Sequence, residues 1–401
     1  MQNVQTLKLS RATLMFPLAL VLFEFSVYIG NDLVQPAMLA ITQDFGVSSA
    51  WAPSSMSFYL LGGACVAWLL GPLSDRLGRK KVLLAGVAFF VLTCLAILLT
   101  QNIESFLALR FLQGVGLSMI SAVGYAAVQE SFEERDAIKV MALMANISLL
   151  APLLGPVVGA FMIDHVSWHW GFIGIAFLAF LSWFGLKAKM PATQQRHSKK
   201  PLRYIWDDYK TVYKNKTFLA LTFGLPMVAM PLMLWIALSP VILVEELGLS
   251  SMQYGLAQFP VLGGLILGNI VLIKVIDKMA LGKTVLLGLP LMFVGTLLVV
   301  LGTIFQSYFL PLLIVGMTLV SFGEGISFSV LYRFALMSSE VPKGTVAAAV
   351  SVLMMFTFFF VIELVRMAYV AFGLWAYSLV CLILIALWLS FPRATVKKVM
   401  Q

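Results

Sequence analysis

The chain has 401 residues, 61% of them hydrophobic and 11% charged, with a mean hydropathy of +0.97. An ordinary soluble chain is about 25% charged, and 27 Lys and Arg with 18 Asp and Glu cannot cover a soluble core of this size. A cytosolic enzyme and a secreted scaffold are therefore excluded. The net charge of +9 would suit nucleic acid only as a patch, whereas the basic residues here cluster at the ends of apolar runs.

Apolar stretches long enough to cross about 30 Å of hydrocarbon predict twelve spans, near 13–36, 50–70, 82–100, 104–129, 138–163, 168–189, 217–244, 253–275, 284–304, 308–335, 345–369 and 372–392. Of the 27 basic residues, 25 fall on one set of alternating connections, and the opposite loops carry none. The positive-inside rule then predicts that both termini and the long central connection are cytoplasmic. Lys8 and Arg11 before an apolar run imitate a signal peptide, but no small-x-small cleavage site follows and the run continues through Glu24 and Asp32, so it reads as the first span.

In the first span, Glu24 lies about 16 Å deep, near the midplane, and Asp32 about two turns further out. At 100° per residue Glu24, Tyr28, Asn31 and Asp32 form one polar stripe, the pattern of a helix lining a cavity. After the second span, Gly71 to Lys81 reads GPLSDRLGRKK. Gly71 and Gly78 permit tight turns and close helix approach, while Asp75 can accept from helix N–H groups or pair with a basic residue. A solvated turn that only fixes topology is the alternative. In the fourth span, Arg110 is expected about 9 Å from the outer end and Asp32 about 6 Å. By depth Asp32 is its best partner, with Gln113 one turn further in. This pair either fixes packing or forms a proton-controlled network. The fifth span contains APLLGPVVGA, in which Gly155 and Gly159 make a small-residue stripe while Pro152 and Pro156 loosen the helix.

Residues 190–216 form the only long polar segment and divide the chain into an amino-terminal unit, 1–189, and a carboxy-terminal unit, 217–401. Asp75 to Lys80 is echoed by Asp277, Lys278, Gly282 and Lys283, and KVLLAG at 81 matches KTVLLG at 283, so duplication of a six-span unit is expected. In the tenth span Glu324 stands between Gly323 and Gly325, which leave room for a ligand or another helix, or the acid makes a structural hydrogen bond. Glu363 and Arg366 are three apart on the eleventh span, a spacing that favours mutual neutralisation. His165, His169 and His197 are expected in loops, with no metal site. Cys65, Cys94 and Cys381 are expected to be buried thiols. There is no Walker A sequence, which argues against ATP as the energy source.

The Gly71–Lys81 stretch matches the G-x-x-x-D-R-x-G-R-[RK] signature of the major facilitator superfamily, at Gly71, Asp75, Arg76, Gly78 and Arg79. APLLGPVVGA resembles the Gly-Pro motif of the drug/proton antiporters within it. VLFEFSVYIGNDLVQP from Val21, LRFLQG from Leu109, GYAAVQESFE from Gly124 and LMANISLLAPLLGP from Leu143 are similar to the same branch. The resemblance to its chloramphenicol exporters extends over nearly the whole chain and includes Glu324, an acid that the multidrug pattern lacks. It implies an all-α membrane protein with the superfamily fold, twelve spans in two pseudo-symmetric halves. It further implies that Glu24 and Asp32 are protonatable, substrate-facing acids, that Arg110 is their conformational partner, and that Tyr28, Asn31, Gln113 and Asn146 line the cavity.

The expected function is proton-coupled export of chloramphenicol and other neutral or cationic lipophilic drugs by alternating access. A monomer in a bacterial inner membrane would do this, driven by the proton gradient with no cofactor, metal, nucleic-acid partner or enzymatic step. A nutrient symporter or uniporter of the same superfamily, or a channel or passive structural membrane protein, is the alternative.

Overall fold

The computed structural model describes residues 13–191, 202–276 and 278–390. They form helices α1 (Met15–Asp32), α2 (Val34–Asp44), α3 (Ser54–Leu77), α4 (Arg79–Ala96), α5 (Ile103–Ser118), α6 (Tyr125–Ser131), α7 (Glu134–His165) and α8 (His169–Lys189). After these come α9 (Leu202–Lys214), α10 (Lys216–Pro240), α11 (Ser251–Val275), α12 (Leu281–Ile304), α13 (Phe309–Met337), α14 (Lys343–Phe372) and α15 (Leu374–Ser390). Among the described residues, ten candidate spans are long and apolar enough to cross a membrane, and two shorter apolar helices, Leu150–His165 and Leu374–Leu389, occupy the remaining expected positions.

Local chemistry sets the ends and interruptions of these helices. Asn102 caps α5 by accepting from the Ser105 amide at 2.8 Å, and Ser250 with Gln253 closes a capping box on α11. The first span breaks at Leu33 because Pro36 has no N–H to give to the carbonyl of Asp32, one helical turn earlier. Two spans contain a π-helical turn, Met119–Gly124 between α5 and α6 and Val241–Glu246 after α10. The connection at 190–216 differs from the polar segment expected, since 202–214 are helical. Apolar residues at 202, 205, 209 and 212 carry a helical period that interleaved charges disguise, and Tyr209 and Val212 are buried.

The chain divides into two compact units. In the first, Met1–Phe45 with Phe58–Tyr204, α1 packs on α7 and α8, α4 on α5 and α8, around Leu20, Phe23, Val87, Phe90 and Val123. In the second, Gly46–Ser57 with Ile205–Gln401, α13 packs on α10, α11 and α12. There Gly295 and Gly316 let two backbones meet, since a Cβ on Gly316 would lie 2.6 Å from the Gly295 carbonyl oxygen. Gly46–Ser57 belongs to this unit through side chains: Ser49 Oγ donates to Glu245 Oε1 at 2.8 Å, Ser57 Oγ bonds Glu363, and the Arg366 guanidinium stands 4.4 Å over the Trp51 ring.

Candidate functional site

The two acids of the first span's polar stripe are buried and hydrogen-bonded. Glu24 is wholly buried, and its Oε1 accepts from the Tyr125 hydroxyl at 3.2 Å. Tyr125 is the first residue after the π-turn of Met119–Gly124, which resets the register in which the following side chains point. Tyr28 and Asn31 are half-buried. The Arg110 guanidinium, also wholly buried, donates through Nη1 to the Gly30 carbonyl at 3.0 Å and to Gln113 Oε1 at 2.8 Å, and through Nη2 to Asn31 Oδ1 at 3.3 Å. Its underside is covered by the Tyr59 ring at 4.5 Å, and Gln113 Nε2 reaches Cys94 Sγ at 3.3 Å.

The direct Asp32–Arg110 pair expected from depth is replaced by a relay. Asn31 Nδ2 donates to Asp32 Oδ1 at 3.1 Å while Asn31 Oδ1 accepts from Arg110, so one amide joins acid and base. One residue along a helix is a rotation of about 100°. Asn31 therefore faces α5, and Asp32 turns toward α7, where a Cβ on Gly155 would lie 2.6 Å from the Asp32 Cβ.

This gives the Gly-Pro stretch a place. Gly155 and Gly159 sit against the break between α1 and α2: a Cβ on Gly159 would lie 2.7 Å from Pro36 Cγ and also meet the Leu33 carbonyl. Pro152 and Pro156 lie within α7, which continues through both. Asn146 is on the same helix, and its side chain lies outside the described residues.

The Gly71–Lys81 stretch is mostly helix, since α3 runs to Leu77 and α4 starts at Arg79. Only Gly78 makes the turn, with φ of +94°, a value that L side chains rarely adopt. Gly71 differs from its expected role. A Cβ there would meet nothing within 4 Å, and its contribution is a carbonyl that accepts from Arg79 Nη1 at 3.3 Å. Arg79 is the hub: it pairs with Asp75, bonds Ser74, and reaches Glu130 on α6 with Nη2 to Oε1 at 3.0 Å. Arg76 lies in the last turn of α3. Asp277, the echo of Asp75, lies outside the described residues.

In the second unit Glu324 is 6% exposed, and its buried Oε2 has no hydrogen-bond partner among the described residues. The neighbouring glycines serve helix approach, since a Cβ on Gly323 would lie 2.7 Å from the Gly288 carbonyl oxygen and one on Gly325 would lie 2.9 Å from the Asn269 amide. Glu363 and Arg366 pair as their spacing predicts, at 2.8 Å. Cys94 and Cys381 are buried, but Cys65 is exposed, a departure from the expectation of three buried thiols. His165 and His169 end α7 and begin α8 rather than standing in a loop, because Val166, Ser167 and Trp168 suffice for the turn; His197 lies outside the described residues. Among the described residues, no three His, Cys, Asp or Glu side chains are grouped to hold a metal ion.

Sequence reasoning missed Tyr59, Tyr125 and Glu130. Tyr125 and Glu130 lie in the stretch GYAAVQESFE, which carries the family resemblance, but nothing in their spacing pairs them with Glu24 or Arg79.

Residues 20–362 match the family model described as Major Facilitator Superfamily. The chain belongs to the major facilitator superfamily. This superfamily chain is 71% identical over 401 residues to the chloramphenicol resistance protein CraA of Acinetobacter baumannii, covering 100% of this chain and 97% of that one. It is 46% identical over 384 residues to the multidrug transporter MdfA of Escherichia coli O157:H7, covering 96% and 94%. Among solved structures, a D-xylose-proton symporter aligns with a TM-score of 0.72 at 16% identity, over 94% of this chain and 97% of that one, a likeness of fold alone. The all-α fold and these relatives make the chain a multi-pass membrane transporter of the drug-efflux type.

Chemically, the first unit offers two carboxylates, one guanidinium and the amides of Asn31 and Gln113 in a low-dielectric interior. Such a set can accept and release a proton and redistribute its hydrogen bonds as it does so.

Proposed function

We propose that this protein exports chloramphenicol and other neutral or cationic lipophilic drugs across the bacterial inner membrane, each in exchange for inward proton movement. The observation that carries the reading is the buried Asp32–Asn31–Arg110 relay, in a chain 71% identical to a chloramphenicol resistance protein. Asp32 is the proton site, because protonating it changes what Asn31 can donate to and therefore how Arg110 is held. Arg110 has the carbonyl of Gly30 and the amide of Gln113 as further acceptors, so its position responds to the relay without the charge ever being stranded. Glu24, with its partner Tyr125, serves cation recognition as well as coupling. Tyr28, Gln113 and Asn146 complete the drug-facing surface of the first half, and Glu324 supplies an acid from the second.

The Arg79 hub and the Gly155–Gly159 seat act on conformation: the first ties α3, α4 and α6 together, and the second holds the helix break beside Asp32. The two six-span halves, 1–189 and 217–401, alternate about the 190–216 connection, in a monomer with cytoplasmic termini and without a cofactor. One proton falling through about 150 mV supplies about 3.5 kcal/mol, enough for a few hundred-fold drug gradient.

The deciding experiment is drug-stimulated proton flux in proteoliposomes. Outward chloramphenicol movement driven by an imposed proton gradient, with counter-directed proton flow, is the expected result. Co-directed flow would make the protein a symporter, and drug movement indifferent to the gradient would make it a passive pathway.

A further inference from the structure

Helix α9 sits at the level where spans end. Only Asn215 separates it from α10, and that residue's Nδ2 donates to the Ser338 carbonyl, just past the end of α13, at 2.7 Å. The Tyr213 hydroxyl donates to the Ala349 carbonyl, in the second turn of α14, at 3.5 Å. The docked face consists of Tyr209 and Val212, both buried, with the Tyr209 and Tyr213 rings stacked at 6.2 Å. The other face is uncovered. At 100° per residue Trp206, Lys210 and Lys214 fall within about 80° of one another, and all three are exposed, Trp206 at 57%. Lys216, at the start of α10, is exposed beside them. Asp207 reaches Lys210 at 3.7 Å, but both are more than half exposed, so this pair holds the lysine only weakly.

An indole has little reason to stand in open water, and its preferred place is the boundary between hydrocarbon and headgroups. Lysines at that level meet phosphate, and each lysine near an anionic surface strengthens attachment about fivefold. We propose that the exposed face of α9 binds the headgroups of anionic phospholipid, with the Lys210 and Lys214 ammonium groups on phosphate oxygens and the Trp206 indole in the interface between them and the acyl chains. The inference needs the spans to lie in a bilayer but not drug export, so its test reads lipid binding and stands or falls separately from the transport assay.

The test is lipid-adduct titration of the full-length chain by native mass spectrometry, with phosphatidylglycerol against phosphatidylcholine. The unaltered protein should prefer phosphatidylglycerol and lose that preference as salt is raised. Lys210→Gln with Lys214→Gln should weaken phosphatidylglycerol binding about thirtyfold and leave phosphatidylcholine binding unchanged. Lys187→Gln with Lys189→Gln should retain the preference, and Trp206→Ala should weaken both lipids. An undiminished phosphatidylglycerol preference in the Lys210/Lys214 variant, or an equal loss in the Lys187/Lys189 variant, would overturn the assignment. So would displacement of the lipid by inorganic phosphate at matched concentration. Should the double variant fail to fold, the salt titration of the unaltered chain decides, and a preference independent of salt rejects the proposal.

Discussion

Asn31 is the residue on which the first-half network depends, since its single amide accepts from Arg110 and donates to Asp32. Asn31→Leu keeps the size and removes both bonds. Hydrogen bonds to charged groups contribute about 1.5–3 kcal/mol each, so drug-stimulated proton release should fall at least tenfold while the protein still inserts and folds. Proton release at the wild-type level would show that Arg110 and Asp32 communicate by another route. Asp32→Asn should abolish the pH dependence of export more completely than Glu24→Gln, because only Asp32 is linked to Arg110 through the relay; equal pH profiles for the two variants would reverse that ranking. Glu24→Gln should instead separate substrates. A lipophilic cation in low dielectric needs a negative partner, whereas a neutral drug is held by hydrogen bonds and apolar contact, so cation export should fall more than chloramphenicol export. The comparison should be repeated with Glu324→Gln, which removes a second acid, and an equal fall for both drug classes in that background would confine Glu24 to proton coupling.

At the scale of elements, function depends on how closely helices approach. A methyl group on Gly155 would collide with Asp32, and one on Gly159 with the Leu33 carbonyl, so neither helix can keep its place. Overpacking of this kind costs about 1–3 kcal/mol. Gly155→Ala and Gly159→Ala should both lower the thermal unfolding midpoint in detergent, and Gly155→Ala should also impair proton release because its clash falls on Asp32 itself. Gly174→Ala on α8, where a Cβ meets nothing within 4 Å, is the control and should be neutral or slightly stabilising. The Arg79 hub makes a different prediction. Glu130→Gln removes one of its two acids and leaves the drug-facing residues untouched, so turnover should drop with equilibrium drug binding nearly intact. A large loss of affinity at normal turnover would place Glu130 in the drug site.

For the whole molecule, coupling to one proton per drug would limit the gradient to a few hundred-fold at about 150 mV, and an uncoupler should return accumulated drug to equilibrium; a sustained gradient without proton motive force would reveal another energy source. Composition and period sufficed for the membrane class and for the order of the spans, because hydrocarbon accepts only long apolar segments with internally satisfied backbone. The acids and the arginine worth attention were legible for the same reason, since charge within a span is too costly to be incidental. The helix at 202–214 was hidden because mean polarity masks an amphipathic period. What only the tertiary structure decided was partnership. Asn31 rather than Asp32 faces Arg110, Tyr125 reaches Glu24 from across a π-turn, Glu130 completes the Arg79 hub, and Gly155 backs Asp32. Depth along a helix can be counted from sequence, but the rotation at which two helices meet is set by side-chain packing among segments far apart in the chain, and a shift of one residue moves a contact by about 100°.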